Sequence, residues 1–241
     1  MVPSTNVVME PDLYSIVPAG VTCHFTRAWY RFEPDPQRPR PMDPLPELAN
    51  DTVRAVPILA AAGVAAIASG STAGSCFGGT RFDRELIARM EAAAPNVKAT
   101  TPATAVSRAL KSLGARTVSV ITPYLPDLND REQEFLEAAG FSVVVVAGMG
   151  IVHGRDMAFV PITETDAFVA AHVDRTADAC FVSCTNLPVL SRIEGWEQRF
   201  GIPFVTSNQA TTWMLLRMAG CRNSVSGYGR LLTIPTLGEE R

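Results

Sequence analysis

The sequence predicts an α/β protein with parallel sheet covered by helices on both faces. Three observations predict it. Strand-like and helix-like stretches alternate along the 241 residues. The strand-like runs are apolar and β-branched throughout instead of alternating with polar residues, as strands buried on both faces are. One strand–turn–helix pattern also occurs twice. In Val64-Ala-Ala-Ile-Ala-Ser-Gly-Ser-Thr-Ala-Gly74 and in Ala179-Cys-Phe-Val-Ser-Cys-Thr-Asn186, an apolar strand ends in a small polar residue followed by threonine, and a helix is expected next.

In chain order, 21–26 reads as a strand. The segment 33–47 carries six prolines (34, 36, 39, 41, 44 and 46). It suits neither a central strand nor a helix interior, and reads as a surface excursion or a lid. A helix is expected over 48–62 and a short buried strand over 64–69. Helices follow over 82–93 and over 104–113, the second stopped by Gly114. A strand at 117–121 leads into the loop Thr122-Pro-Tyr124. A helix over 130–139 ends at Gly140, and 141–146 is a nearly all-apolar strand. The remainder reads as helix 163–171, strand 179–183, helix 187–200 ended by Gly201, strand 204–206 and helix 209–219.

Hydrophobic residues make up 47% and charged residues 19%, the balance of a folded globular chain. A net charge of −3 and a pI near 5.7 argue against nucleic acid as a partner. The longest apolar run, 56–68, falls short of the ~20 residues of a membrane helix. The five cysteines are odd in number and lack C-x-x-C spacing, and no signal peptide is recognisable. Free thiols in a reducing cytoplasm are therefore expected. His24, His153 and His172 are scattered without metal-ligand spacing, so no metal site is expected.

Four short motifs occur in order: Pro3-Ser-Thr-Asn6, Thr122-Pro-Tyr124, Ser183-Cys-Thr-Asn186 and Thr206-Ser-Asn-Gln-Ala210. In order and spacing they resemble the Asp/Glu racemase superfamily, in its branch of maleate cis–trans isomerases and arylmalonate decarboxylases. The resemblance spans nearly the whole chain. It implies two similar Rossmann-like domains with parallel sheets, related by a pseudo-twofold axis, with the active site in the cleft between them. On that pattern 1–103 with 209–241 form the first half and 104–208 the second. No cofactor, a small carboxylic-acid substrate and a homo-oligomer are implied.

Carried over by motif, Cys184 matches the second-half cysteine, Asn6 the carboxylate-holding asparagine and Tyr124 the hydrogen-bonding tyrosine. The first-half cysteine falls at Ser71, a departure shared with the decarboxylases. An asparagine of the isomerase pattern falls at Gly154. The short strand that usually precedes the Pro-Ser-x-Asn loop is reduced here to Met1-Val2.

The chemistry needs an enediolate stabilised by donors already in place. Thr72, Ser75, Thr185, Asn186 and Tyr124 are candidates, with the N-termini of helices expected after Ser71 and after Cys184. A thiol at such a terminus has a lowered pKa and can act as base, nucleophile or acid. Ser71 lacks a neighbouring base and is expected to bind a carboxylate or to be a relic. Cys180 reads as core, and Cys76, Cys23 and Cys221 as structural. His153 reads as a loop histidine bordering the cleft or facing solvent, and Asn208 as a cap of the last helix. The first expectation is a cofactor-independent isomerase or racemase of a small dicarboxylate, on the Thr185-Asn186 context. An arylmalonate-type decarboxylase with Cys184 as sole proton donor comes close behind. A small-acid binder without catalysis is third.

Overall fold

The computed structural model describes residues 1–30 and 44–235. The expected excursion or lid at 33–47 lies outside the described residues up to 43; its end enters a helix. Every strand pairing described is parallel. Strand β1 (Val2–Pro3) is followed by helix α1 (Met9–Ile16) and pairs with β2 (Arg27–Ala28). Helix α2 (Leu45–Ala60) leads to β3 (Ala66–Ala68), then to the five-residue α3 (Thr72–Cys76) and to α4 (Gly79–Ala93). Strand β4 (Lys98–Thr100) pairs with β3. Next come α5 (Pro102–Ser112), β5 (Thr117–Thr122), α6 (Pro126–Ala138), β6 (Ser142–Gly148), α7 (Ile162–His172) and β7 (Ala179–Val182). Then come α8 (Ile193–Phe200), β8 (Phe204–Thr206) and α9 (Ser207–Met218). The largest sheet has the order β6-β5-β7-β8.

The core forms around this four-stranded sheet. Val118, Val120, Ile121, Phe181, Val182, Phe204 and Trp213 are essentially inaccessible. All four residues of β7 are buried, so both of its faces are covered by other elements. That explains why it reads as an uninterrupted apolar run. Each large side chain so buried stabilises the fold by roughly 1.5–3 kcal/mol.

Four readings are corrected. The segment 21–26 is not a strand; pairing begins at Arg27, where β1 offers two residues and Pro3 has no N–H to donate. Helix α1 was not expected, because Pro11 masks its 9/13/16 apolar spacing. A proline is compatible with a first turn, and the Asn6 side chain accepts the Val8 and Met9 N–H groups there. The expected helix over 187–200 begins only at Ile193, after a 3₁₀ turn at Leu190–Arg192. Pro188 disfavours helical backbone at Leu187, so no helix N-terminus follows Cys184. Helix α9 is capped by a reciprocal pair, Thr206 and Gln209, and not by Asn208.

Truncating Phe181 to Ala removes a fully buried ring and is expected to cost ~3–5 kcal/mol. The same change at exposed Phe159 is expected to cost less than about 0.5 kcal/mol. Urea unfolding of the two variants measures the difference.

Candidate active site

The C-terminal ends of β3, β5, β7 and β8 deliver the motif loops to one place, where ligands of α/β sheets bind. Strand β3 runs into Ser71-Thr72, β5 into Tyr124, β7 into Cys184-Thr185-Asn186 and β8 into Ser207. A cavity of about 80 Å³ there is lined by all seven predicted site residues: Asn6, Ser71, Thr72, Tyr124, Cys184, Thr185 and Asn186. No charged side chain lines it among the described residues. A larger cavity of about 360 Å³ lies beside β3 and α9 and collects none of the seven.

Cys184 is the one non-glycine described residue with positive φ, at 95°. Such a backbone costs of order 1–3 kcal/mol and persists only where its surroundings enforce it. Here the Cys184 N–H donates to Ser207 Oγ at 3.1 Å, and the Asn186 N–H donates back to Cys184 Sγ at 3.3 Å. The turn thus supplies the backbone donors expected from a helix terminus. Their effect on the thiol is smaller than that of burial. Desolvation dominates and pushes the Cys184 pKa up to about 11, against the lowering by the N–H groups of Asn186 and Leu187 and by Tyr124. The sequence expectation of a lowered pKa is corrected accordingly: Cys184 is a neutral thiol at neutral pH.

The other predicted residues are largely occupied in holding the loops together. Asn6 Nδ2 donates to Thr185 Oγ1 at 3.1 Å, and Thr185 Oγ1 donates to Gly70 O at 2.8 Å. Asn186 Nδ2 donates to Gly154 O, and its Oδ1 accepts the Val7 N–H. Gly154, where the isomerase pattern has asparagine, therefore contributes its carbonyl. Thr72 Oγ1 donates to Ser207 Oγ at 2.8 Å. Ser71 caps α3, its Oγ accepting the Gly74 N–H at 3.0 Å, and keeps its own proton to donate. Ser75 is withdrawn from the cavity: its hydroxyl bonds the Ser71 and Thr72 carbonyls and accepts the Ala103 N–H. Cys76 is buried with its thiol toward Ala73 O and lines no cavity wall. Cys180 is core, as expected. His153 is half-buried between two lining residues, Val152 and Gly154, and does not itself line the cavity.

Several residues that hold the thiol and its loop were not among the predicted site residues. Ser207 bridges Thr72 and the Cys184 backbone. Met157 Sδ lies 3.7 Å from Cys184 Sγ. Ser183 Oγ bonds buried Glu132 at 2.6 Å. Asn208 ties Asp12 to the Thr185 carbonyl, at 2.7 and 3.1 Å. Ser183 and Ser207 stood inside quoted motifs, but nothing in their residue type marked them. Glu132 looks like any acid on an amphipathic helix.

The arylmalonate decarboxylase family model matches residues 43–232. The chain belongs to the arylmalonate decarboxylase family. The family's enzyme from Bordetella bronchiseptica is 33% identical over 172 residues, spanning 70% of this chain and 71% of that protein. A crystal structure of an arylmalonate decarboxylase superimposes with a TM-score of 0.71 at 29% identity, covering 78% of this chain and 83% of that one. The fold is also that of the Nocardia farcinica maleate cis–trans isomerase, whose cysteine-to-serine mutant carries a covalently bound succinylcysteine intermediate. That match has a TM-score of 0.87 at 24% identity and covers 96% of each chain.

Burial raises the Glu132 pKa from an ordinary 4.5 to about 8, against the lowering by Ser183. A raised carboxyl pKa means the folded state holds the extra proton. The associated stability is complete below the unfolded pKa and is lost as pH rises through 8. Asp12, raised to about 6 by burial, acts with the same sign at lower pH. The urea midpoint is expected to fall between about pH 6 and about pH 9, and to fall less in Glu132→Gln. Parallel declines in the two proteins would show that Glu132 is ionised in the fold already at the lower pH.

Proposed function

We propose that this protein decarboxylates a malonate bearing an apolar substituent, with Cys184 as the proton donor. The observation that carries the reading is a cavity with one neutral thiol, a hydroxyl at the second expected thiol position, Ser71, and an apolar wall. Leu45, Leu48, Leu125, Leu128, Ile151 and Val152 supply its apolar lining. A carboxylate set against it is poorly solvated, and losing its charge as CO₂ relieves that cost. The other carboxylate is assigned to the polar side, among Asn6, Thr72, Thr185 and Asn186, with Ser71 and Tyr124 as further donors. The lining residues come from both 1–103 and 104–208, which supports the reading of two halves facing one cleft.

The steps balance with this chain's own groups. The bond between the α-carbon and one carboxylate breaks, CO₂ leaves, and the electron pair passes into an enediolate with the remaining carboxylate. Hydroxyl and amide donors already in place stabilise that charge. The S–H bond of Cys184 then breaks and its proton joins the α-carbon. The thiolate that remains is received by the Asn186 and Leu187 N–H groups. An acid of pKa about 11 suits this step, because the carbanion is far more basic.

Isomerisation of a maleate-like dicarboxylate is the second reading, favoured by Thr185-Asn186 beside the cysteine. It needs Cys184 as a thiolate that adds to substrate. With a pKa near 11, only about one thiol in 10⁴ is ionised at pH 7. A binder without catalysis is the third reading.

Phenylmalonate incubated with the purified protein is expected to release CO₂, followed by ¹³C NMR. Cys184→Ser is expected to slow it about 10²–10⁴-fold, the usual worth of a positioned acid. Maleate converted to fumarate, with phenylmalonate untouched, would reverse the ranking. Neither reaction at high enzyme loading would leave the binder.

A thiol at position 71 adds a proton-transfer group on a second side of the cavity. Ser71→Cys is therefore expected to gain exchange of the α-proton of 2-phenylpropionate, and hence racemisation, over a wild type expected to show none. Deuterium uptake from D₂O measures it; no gain in a folded variant means the two positions do not address one carbon.

A further inference from the structure

Behind the cysteine lies a buried acid that the proposed reaction does not use. Glu132 is on α6, one helical turn beyond the cavity-lining Leu128, and is 1% exposed. Its Oε1 bonds Ser183 Oγ at 2.6 Å, while Oε2 is buried without a partner. No ion pair among the described residues involves it. A structural carboxylate at this depth is normally paired or fully hydrogen-bonded. Ser183 is the residue immediately before Cys184. Tyr124 lines the cavity and is buried close enough for the Ser183 hydroxyl to act on its hydroxyl and for its hydroxyl to act on the Cys184 thiol, though neither pair closes a hydrogen bond in this structure. A file of groups therefore leads from Glu132 through Ser183 and Tyr124 to the thiol.

We propose that Glu132 is a positioning residue for the proton of Cys184, holding a proton behind Ser183 and returning it through Ser183 and Tyr124 to the thiolate left by each donation. This rests on the decarboxylase reading for its place in turnover, but its chemistry is independent of substrate. The Glu132 O–H bond breaks and the Cys184 S–H bond forms, with Ser183 and Tyr124 each accepting one proton and passing one on. Glu132 is left as carboxylate and regains its proton from water after product leaves.

The direction is downhill, because the acid titrates below the thiol. The remaining titratable groups around the file are Cys76 on α3 and Asp83 on α4. Both oxygens of Asp83 are engaged by Thr101 and Thr104. No cation appears among the influences on Glu132 or Cys184, so the file carries at most one negative charge at low cost.

The test reads the thiol directly. Alkylation of Cys184 by iodoacetamide is followed from about pH 6 to about pH 11 by peptide mass spectrometry, which separates it from the other cysteines. In wild type, Glu132 ionises first and opposes the thiolate. In Glu132→Gln that charge is absent, and the midpoint is expected about one pH unit lower. Ser183→Ala cuts the file but keeps the acid. It is expected to leave the midpoint high and to slow decarboxylation of phenylmalonate, with a larger solvent deuterium effect on kcat than wild type. An unmoved midpoint in Glu132→Gln overturns the proposal, and so does unchanged kcat and isotope effect in Ser183→Ala. Should Glu132→Gln fail to fold, Glu132→Asp, which withdraws the acid from Ser183, is expected to give the Ser183→Ala phenotype. The alkylation result stands whether or not phenylmalonate is a substrate.

Discussion

The site depends on one hydroxyl. Ser207 Oγ accepts both the Thr72 hydroxyl and the Cys184 N–H. It joins the turn after β3 to the turn after β7, and it satisfies the amide of a residue held at a φ that L-residues avoid. With that amide fixed, the chain after Cys184 doubles back and aims two N–H groups at its own sulfur. Thr185 and Asn186 then reach Gly70, Gly154 and Val7. The cavity walls are thus braced against each other by short polar bonds, and the cysteine is strained so that its thiol can be served by its own backbone.

Burial decides the electrostatics. The turn around Cys184 offers the donors that usually depress a thiol pKa, yet desolvation outweighs them. The same effect keeps Glu132 protonated near neutrality. The site is consequently a set of neutral donors in which charge arises only during reaction, the circumstance in which preorganised dipoles act most strongly.

Much of this was legible in the sequence. The apolar runs at 117–121, 179–183 and 204–206 marked the strands of the main sheet, and glycines 114, 140 and 201 marked the ends of helices. Of the seven predicted site residues, five stood in the four short motifs and Ser71 and Thr72 in the repeated strand–turn–helix pattern, and all seven line one cavity. What was missed has physical reasons. The helix expected after Cys184 ignored Pro188, and with it the expected thiol pKa had the wrong sign. Helix α1 was hidden by Pro11. Glu132 and Ser207 were invisible because their importance lies in depth and partner, and neither is written in residue type. Thr185 and Asn6 were expected as substrate-binding residues, but their mutual bond and their roles as braces belong to the tertiary structure.

The uncharged lining has a consequence for encounter. Electrostatic steering needs charges that project a field into solvent, and this cavity presents none among its described walls. Under the proposed function, a dianionic acid meets no fixed charge on those described walls and is held there by contacts of hydrogen-bond range. Such capture has little for dissolved salt to screen. Under that proposal arrival and departure are unequal: a doubly charged acid engages both the polar and the apolar lining, while a monoanion stripped of one carboxylate has fewer bonds to break on leaving. Selectivity for the dianion then resides in short-range fit to the described walls.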